Sequence, residues 1–253
     1  MDTCCRFSHT AAGWLLRRPA FETMVRPGIT FGRSSEVQAN KLMASQYITF
    51  LADEGTCEGI YVHPDEPAHV PGLVLCHPHP LHGGDMENNV VRAFAAAFVA
   101  AGFAVLRFNF RGVGKSTGRY AEGVGEQGDA KAALTWIAAQ PGVDTARLFL
   151  AGYSFGARVT LAVASADPRV AGFIAIAPPI LRGNWPTLEA SRGPKIFLCG
   201  DRDPYAPAEG LATVVNSLDE PKRLAIFSDT DHFFVGQEHT LAQHAVKLLH
   251  ELS

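Results

Sequence analysis

Ten residues, Leu148-Phe149-Leu150-Ala151-Gly152-Tyr153-Ser154-Phe155-Gly156-Ala157, constrain this chain more than any other stretch. A short apolar run reads as a buried strand, and it stops at Gly-x-Ser-x-Gly with an alanine-rich, helix-like run directly behind it. That predicts a strand, a sharp turn and a helix, with Ser154 at the apex. A strand that feeds a helix with almost no loop brings the residues two before and two after the serine close together. Side chains there would clash, which is the steric role of Gly152 and Gly156. The serine itself is expected in a strained backbone conformation, its hydroxyl held out from the sheet edge.

The chain has 253 residues, 47% hydrophobic and 19% charged, which suits one α/β domain with a large core. A net charge of −3 supplies no basic face for nucleic acid. No apolar run approaches the ~20 residues of a membrane span, so no membrane partner is expected. Five cysteines (Cys4, Cys5, Cys57, Cys76, Cys199) are an odd number without metal-type spacing, and they read as free thiols in a reducing compartment.

Residues 1–42 stand apart. Arg6, Arg17, Arg18, Arg26, Arg33 and Lys41 against Asp2, Glu22 and Glu36 give +3, which leaves −6 for the rest. Trp14-Leu15-Leu16 is too short for the apolar core of a secretory signal. The segment reads as a flexible arm, as an extension ahead of a working start at Met43, or as an arginine-rich targeting peptide. The expected organisation is residues 1–42 as arm or extension and 43–253 as the catalytic domain. The expected location is the cytoplasm, with an organelle as the alternative.

From Gln46 the pattern alternates strands with helices. Tyr47–Leu51 and Thr56–Val62 flank Asp53-Glu54-Gly55 and predict an antiparallel hairpin. Strands are then expected at Gly72–Cys76, Phe103–Phe110, Arg147–Ala151, Val170–Ala177, Lys195–Cys199 and Arg223–Phe227. Helices are expected at Asn89–Ala101, Glu126–Gln140, Phe155–Ala166 and Ala208–Leu218, with a last one ending near Leu252. This order implies an α/β fold: a mostly parallel twisted sheet with an antiparallel N-terminal edge and helices on both faces. In such sheets the working groups gather beyond the carboxyl ends of the strands.

Every candidate chemical group falls at such an end. A serine hydroxyl needs a base to take its proton, and the base needs an acid to fix its tautomer and stabilise its cation. His232 follows the last strand and Asp203 the one before it. Asp201, Asp229 and Asp231 compete for the acid's role. Asp229 and Asp231 sit on the histidine's own loop, and Asp201 is still completing the turn off the strand. Asp203 is therefore the favoured acid, and Ser154, Asp203 and His232 are the candidate catalytic residues.

These motifs resemble the α/β-hydrolase superfamily, from about Gln46 to the C-terminus, and most of all its small lidless members akin to dienelactone hydrolase and a group of poorly characterised bacterial hydrolases. His77-Pro78-His79-Pro80 with Gly83-Gly84-Asp85 carries the resemblance. So do Asn109-Phe110-Arg111-Gly112-x-Gly114-x-Ser116, Gly152-Tyr153-Ser154-Phe155-Gly156, Gly200-x-x-Asp203-x-x-x-Pro207 and Asp231-His232-Phe233, in that order. The resemblance implies the α/β-hydrolase fold and places the acid three residues after Gly200. The expected activity is hydrolysis of a carboxylic ester, thioester or lactone through an acyl-enzyme. A peptidase or amidase on the same three residues is the close alternative, and a non-hydrolytic lyase or a ligand receptor on the same fold is the alternative of another class. A dehalogenase or epoxide hydrolase would need an aspartate where Ser154 stands.

Acyl transfer also needs donors for the developing oxyanion. The backbone N–H of Phe155 is one candidate. The second belongs to the loop from His77 to Gly84, where Pro78 and Pro80 have no N–H; His79 is the best-placed backbone donor and Leu81 the reserve. His77, His79 and His82 lack the helical spacing and the acidic or cysteine partners of a familiar metal site, so no metal and no cofactor are expected. Gly114-Lys115-Ser116 suggests a phosphate loop, but Asn109 stands where that motif requires its first glycine, and the segment is read as bracing the mouth of the site. Residues 178–194 leave room for barely one helix, so no substantial cap is expected. Trp185, the largest apolar group there, is a candidate substrate-binding residue. The expected partner is a small ester-type substrate; nothing in the sequence fixes an oligomeric state.

Overall fold

The computed structural model describes residues 45–64, 69–180, 188 and 191–253. Residues 1–42, where an arm or extension is expected, with Cys4 and Cys5, and Trp185 lie outside the described residues.

Among the described residues eight strands form one sheet: β1 (Ser45–Ala52), β2 (Gly55–Val62), β3 (Val70–Cys76), β4 (Ala104–Phe108), β5 (Val143–Tyr153), β6 (Val170–Ile176), β7 (Lys195–Gly200) and β8 (Lys222–Phe227). Their order across the sheet is β1-β2-β4-β3-β5-β6-β7-β8. The hairpin β1–β2 is antiparallel and β2 meets β4 antiparallel, while all remaining pairs are parallel. The predicted antiparallel edge is therefore present. Its sequence explains its place: in β1 only Phe50 is buried, whereas Leu73 to Cys76 of β3 are buried without a break. A continuous apolar run requires cover on both faces, and β3 occupies the middle of the sheet.

The covering helices are α1 (Asn89–Ala100), α2 (Gly125–Ala138), α3 (Phe155–Ala164), α4 (Ala208–Ser217) and α5 (Glu238–Leu252). Helices α1 and α5 pack together, as do α2 and α3. The turn from β3 into α1 holds one short 3-10 turn at Pro80–His82. Residues 177–194, between β6 and β7, are too few for a cap domain.

Strand β5 starts at Val143, earlier than the apolar pattern from Arg147 indicates. Residues 144–147 are polar or small; Asp144 is half-buried and the next three are exposed. The extension is set by backbone pairing of Val143 and Asp144 with Val70 and Pro71, which side-chain patterning does not reveal. Cys57, Cys76 and Cys199 are free and buried. Burial pushes the Cys57 and Cys199 thiols up to about 12, so neither is a thiolate at neutral pH.

Candidate active site

Ser154 sits between β5 and α3 at φ 55°, ψ −112°, a left-side conformation that a residue with a Cβ adopts only under constraint. The constraint is visible. A Cβ on Gly152 would lie 2.2 Å from the Gly156 carbonyl oxygen, and one on Gly156 would lie 2.3 Å from that of Cys76. The backbone of the elbow thus touches itself and the end of β3 where the glycines stand. The Ser154 N–H donates to Ile176 O at 2.8 Å, which ties the apex to β6.

The three candidate catalytic side chains are in contact. His232 Nε2 is 2.9 Å from Ser154 Oγ, and His232 Nδ1 is 2.7 Å from Asp203 Oδ2. A carboxylate only accepts, so Nδ1 carries the proton and Nε2 presents its lone pair to the serine hydroxyl. Asp203 is 4% exposed and His232 7%. The other carboxylate oxygen, Asp203 Oδ1, accepts the backbone N–H groups of Tyr205 at 2.8 Å and Ala206 at 2.9 Å. Three hydrogen bonds fix the plane in which the acid meets the ring.

The competing aspartates are occupied elsewhere. Asp201 Oδ1 accepts from the Thr230 N–H, Asp229 pairs with Arg202, and Asp231 Oδ1 accepts from the Phe233 N–H. Asp201 therefore holds the two loops together while Asp203 reaches across. Their approach is close: a Cβ on Gly200 would lie 2.0 Å from Thr230 O.

Phe155 is the first residue of α3, where backbone N–H groups have no partner within their own helix and the helix dipole is positive. The His79 ring packs on the Phe155 ring at 5.1 Å, so the loop after β3 lies beside the elbow. His79 Nδ1 accepts the Leu81 N–H at 3.2 Å, which engages the reserve donor. Its Nε2 is 3.3 Å from the Tyr120 hydroxyl. The histidine side chain thus shapes the turn, a part the sequence reading did not assign to it.

His77 is wholly buried. Its Nδ1 donates to Pro78 O at 2.7 Å and its Nε2 accepts from the Phe110 N–H at 3.1 Å, so both ring nitrogens are engaged within the protein. Burial lowers its pKa to about 4, outweighing the opposing effect of the Pro78 carbonyl, and the ring is neutral at ordinary pH. Among the described residues no group of three or more metal-ligating side chains comes together. The segment from Arg111 to Ser116 is a brace. Arg111 forms a two-pronged pair with the buried Asp129 of α2 and reaches Glu54 of the β1–β2 turn at 2.9 Å. Ser116 Oγ donates to Asn109 O at 2.7 Å and accepts the Glu58 N–H at 3.0 Å.

Two tyrosines beside the imidazole were not identified by sequence reasoning. The Tyr153 hydroxyl donates to His232 O at 2.8 Å, joining the His232 loop to β5 just before Ser154. The Tyr205 ring meets the His232 ring edge-on at 4.8 Å. Tyr153 carried no signal, because the position between glycine and serine tolerates any residue. Asp203-Pro204-Tyr205 did carry one: an aspartate that caps the N–H two residues on is a common turn.

Residues 72–252 match the family described as alpha/beta hydrolase domain. The chain belongs to the α/β-hydrolase family. It is similar to an α/β serine hydrolase homologue from Coxiella burnetii, with 36% identity, a TM-score of 0.74 and coverage of 84% of this chain and 99% of that one. An α/β serine hydrolase without a lid from Xanthomonas campestris is 33% identical, with a TM-score of 0.73 over 82% of this chain and 95% of that one. An uncharacterised protein of Rickettsia prowazekii is 36% identical over 74% of this chain and 81% of its own length. The α/β-hydrolase fold without a substantial cap accords with these neighbours.

Proposed function

We propose that this α/β-hydrolase chain is a serine hydrolase that cleaves a carboxylic ester, thioester or lactone through an acyl-enzyme. The observation that carries the reading is the bridge made by His232, whose two nitrogens contact Ser154 Oγ and Asp203 Oδ2 at once. In this reading Ser154 Oγ attacks the substrate carbonyl carbon while Nε2 takes the hydroxyl proton. The carbonyl oxygen becomes an oxyanion, met by the backbone N–H groups of Phe155 and His79. Collapse breaks the bond to the leaving group, which receives the proton from Nε2. Water then repeats the sequence on the acyl-enzyme and frees Ser154.

Similarity to serine hydrolases at 33% and 36% identity supports the reaction class. The strained backbone of Ser154 supports the same role, since it holds the hydroxyl out at the head of α3. A small-molecule substrate fits a site bordered by short loops. The test is ester turnover by Ser154→Ala against the native protein, with folding checked by circular dichroism. A fall of several orders of magnitude with an unchanged spectrum is expected. Activity within about tenfold of native would refute the mechanism.

A further inference from the structure

We propose that Tyr205 and Phe233 form the subsite for the leaving group, and that this group is a neutral aromatic alcohol or thiol. The inference rests on the acyl-transfer reading above and specifies its substrate. In that reaction the oxyanion lies toward Phe155 and His79, and the leaving atom lies within hydrogen-bond reach of His232 Nε2, which must protonate it. When the tetrahedral intermediate collapses, the carbon–oxygen or carbon–sulfur bond breaks. Its electron pair goes to the leaving atom, and the proton on Nε2 joins it there. Whatever is attached to that atom therefore lies against the side chains that border the imidazole.

Those side chains are aromatic. Tyr153, Tyr205 and Phe233 have ring centres 5.6, 4.8 and 5.7 Å from that of His232. Tyr153 is buried and bound to the His232 carbonyl, so it belongs to the frame. Tyr205 and Phe233 are 45% and 57% exposed, large apolar surfaces left open beside the His232 ring. Both are held by their backbones: the Tyr205 N–H on Asp203 Oδ1, the Phe233 N–H on Asp231 Oδ1. Two anchored aromatic rings suit the face and edge of a third. The charges nearby point against an anionic group. Asp231 is exposed next to Phe233, and Arg202 is already paired with Asp229.

The experiment compares kcat/KM for methyl acetate, benzyl acetate and 4-carboxybenzyl acetate with native protein and with Tyr205→Ala, Phe233→Ala and the double variant. All three esters give the same acetyl-enzyme, so differences in kcat/KM, which spans binding through acylation, arise from the leaving group and not from deacylation. Native protein should prefer benzyl over methyl by about tenfold or more, and benzyl over carboxybenzyl. In the double variant the benzyl-to-methyl ratio should fall to within about threefold of unity. A fluorophosphonate label on Ser154 verifies that each variant retains its active site. Turnover with the same ratio in native and variant proteins overturns the subsite alone. No turnover of any ester by folded native protein overturns the acyl-transfer reading and the subsite with it.

Discussion

Ser154 has a positive φ because its neighbours leave the backbone no other path between β5 and α3. That much was legible in the sequence, since the glycines two before and two after announce the close approach. Asp203 was favoured as the acid by elimination among the four aspartates of the two loops. Its Oδ2 lies 2.7 Å from His232 Nδ1, while Asp201 and Asp231 accept backbone N–H groups and Asp229 pairs with Arg202. Asp203→Asn should therefore lower kcat by roughly 10³–10⁴, because the wrong imidazole tautomer is favoured and its cation loses its partner. Asp201→Asn, Asp229→Asn and Asp231→Asn should each cost far less, and steady-state kinetics on one ester compares all four. The His79 side chain was not legible, because its role depends on a turn whose geometry appears only in three dimensions. Its Nδ1 accepts the Leu81 N–H, as an asparagine oxygen would. His79→Ala should lower kcat about tenfold or more with KM little changed, and His79→Asn should recover much of the loss. An alanine variant with native kcat would show that the turn holds without its cap.

At the scale of elements, the site depends on loops that strands alone do not hold. Arg111 joins the end of β4 to α2 through Asp129 and to the β1–β2 turn through Glu54. Arg111 and Asp129 are both buried, so removing Asp129 leaves the buried Arg111 charge to the exposed Glu54. Asp129→Ala should cost about 3–5 kcal/mol of unfolding free energy, measured by urea titration. A loss under about 1 kcal/mol would mean that water or Glu54 replaces the carboxylate. The bracing role of this segment was read from its failure to match a phosphate loop; its partners were not, since Asp129 lies in the middle of an otherwise unremarkable helix. The strand order was likewise only partly legible. Alternation gave the parallel sheet and the hairpin its antiparallel edge, while the start of β5 at Val143 follows from backbone pairing with Val70.

Among the described residues of the molecule, the sheet and its helices run from Ser45 to Leu252. Deleting residues 1–42 should leave the melting temperature and ester turnover unchanged, and loss of either would show that the domain draws on that segment. The buried, neutral His77 gives the domain a defined response to acid. An unfolded chain protonates this ring near pH 6.5, the folded one only near pH 4. Stability from this group is therefore intact above about pH 6.5 and declines as pH falls toward 4, by roughly 3 kcal/mol in all. Urea unfolding at pH 7 and pH 5 should show the decline, and the His77 ring proton should keep its neutral chemical shift across that range in the native protein. A native-state titration near pH 6.5 would contradict the burial argument.

The central claim is that Ser154 is a nucleophile activated by His232, and a fluorophosphonate probe followed by intact-mass measurement and peptide mapping tests it most directly. The account predicts one adduct per chain, on Ser154, formed rapidly in the native protein and slowed by orders of magnitude in His232→Ala. Ester turnover that persists in a protein without that adduct, or an adduct on another residue, would contradict it.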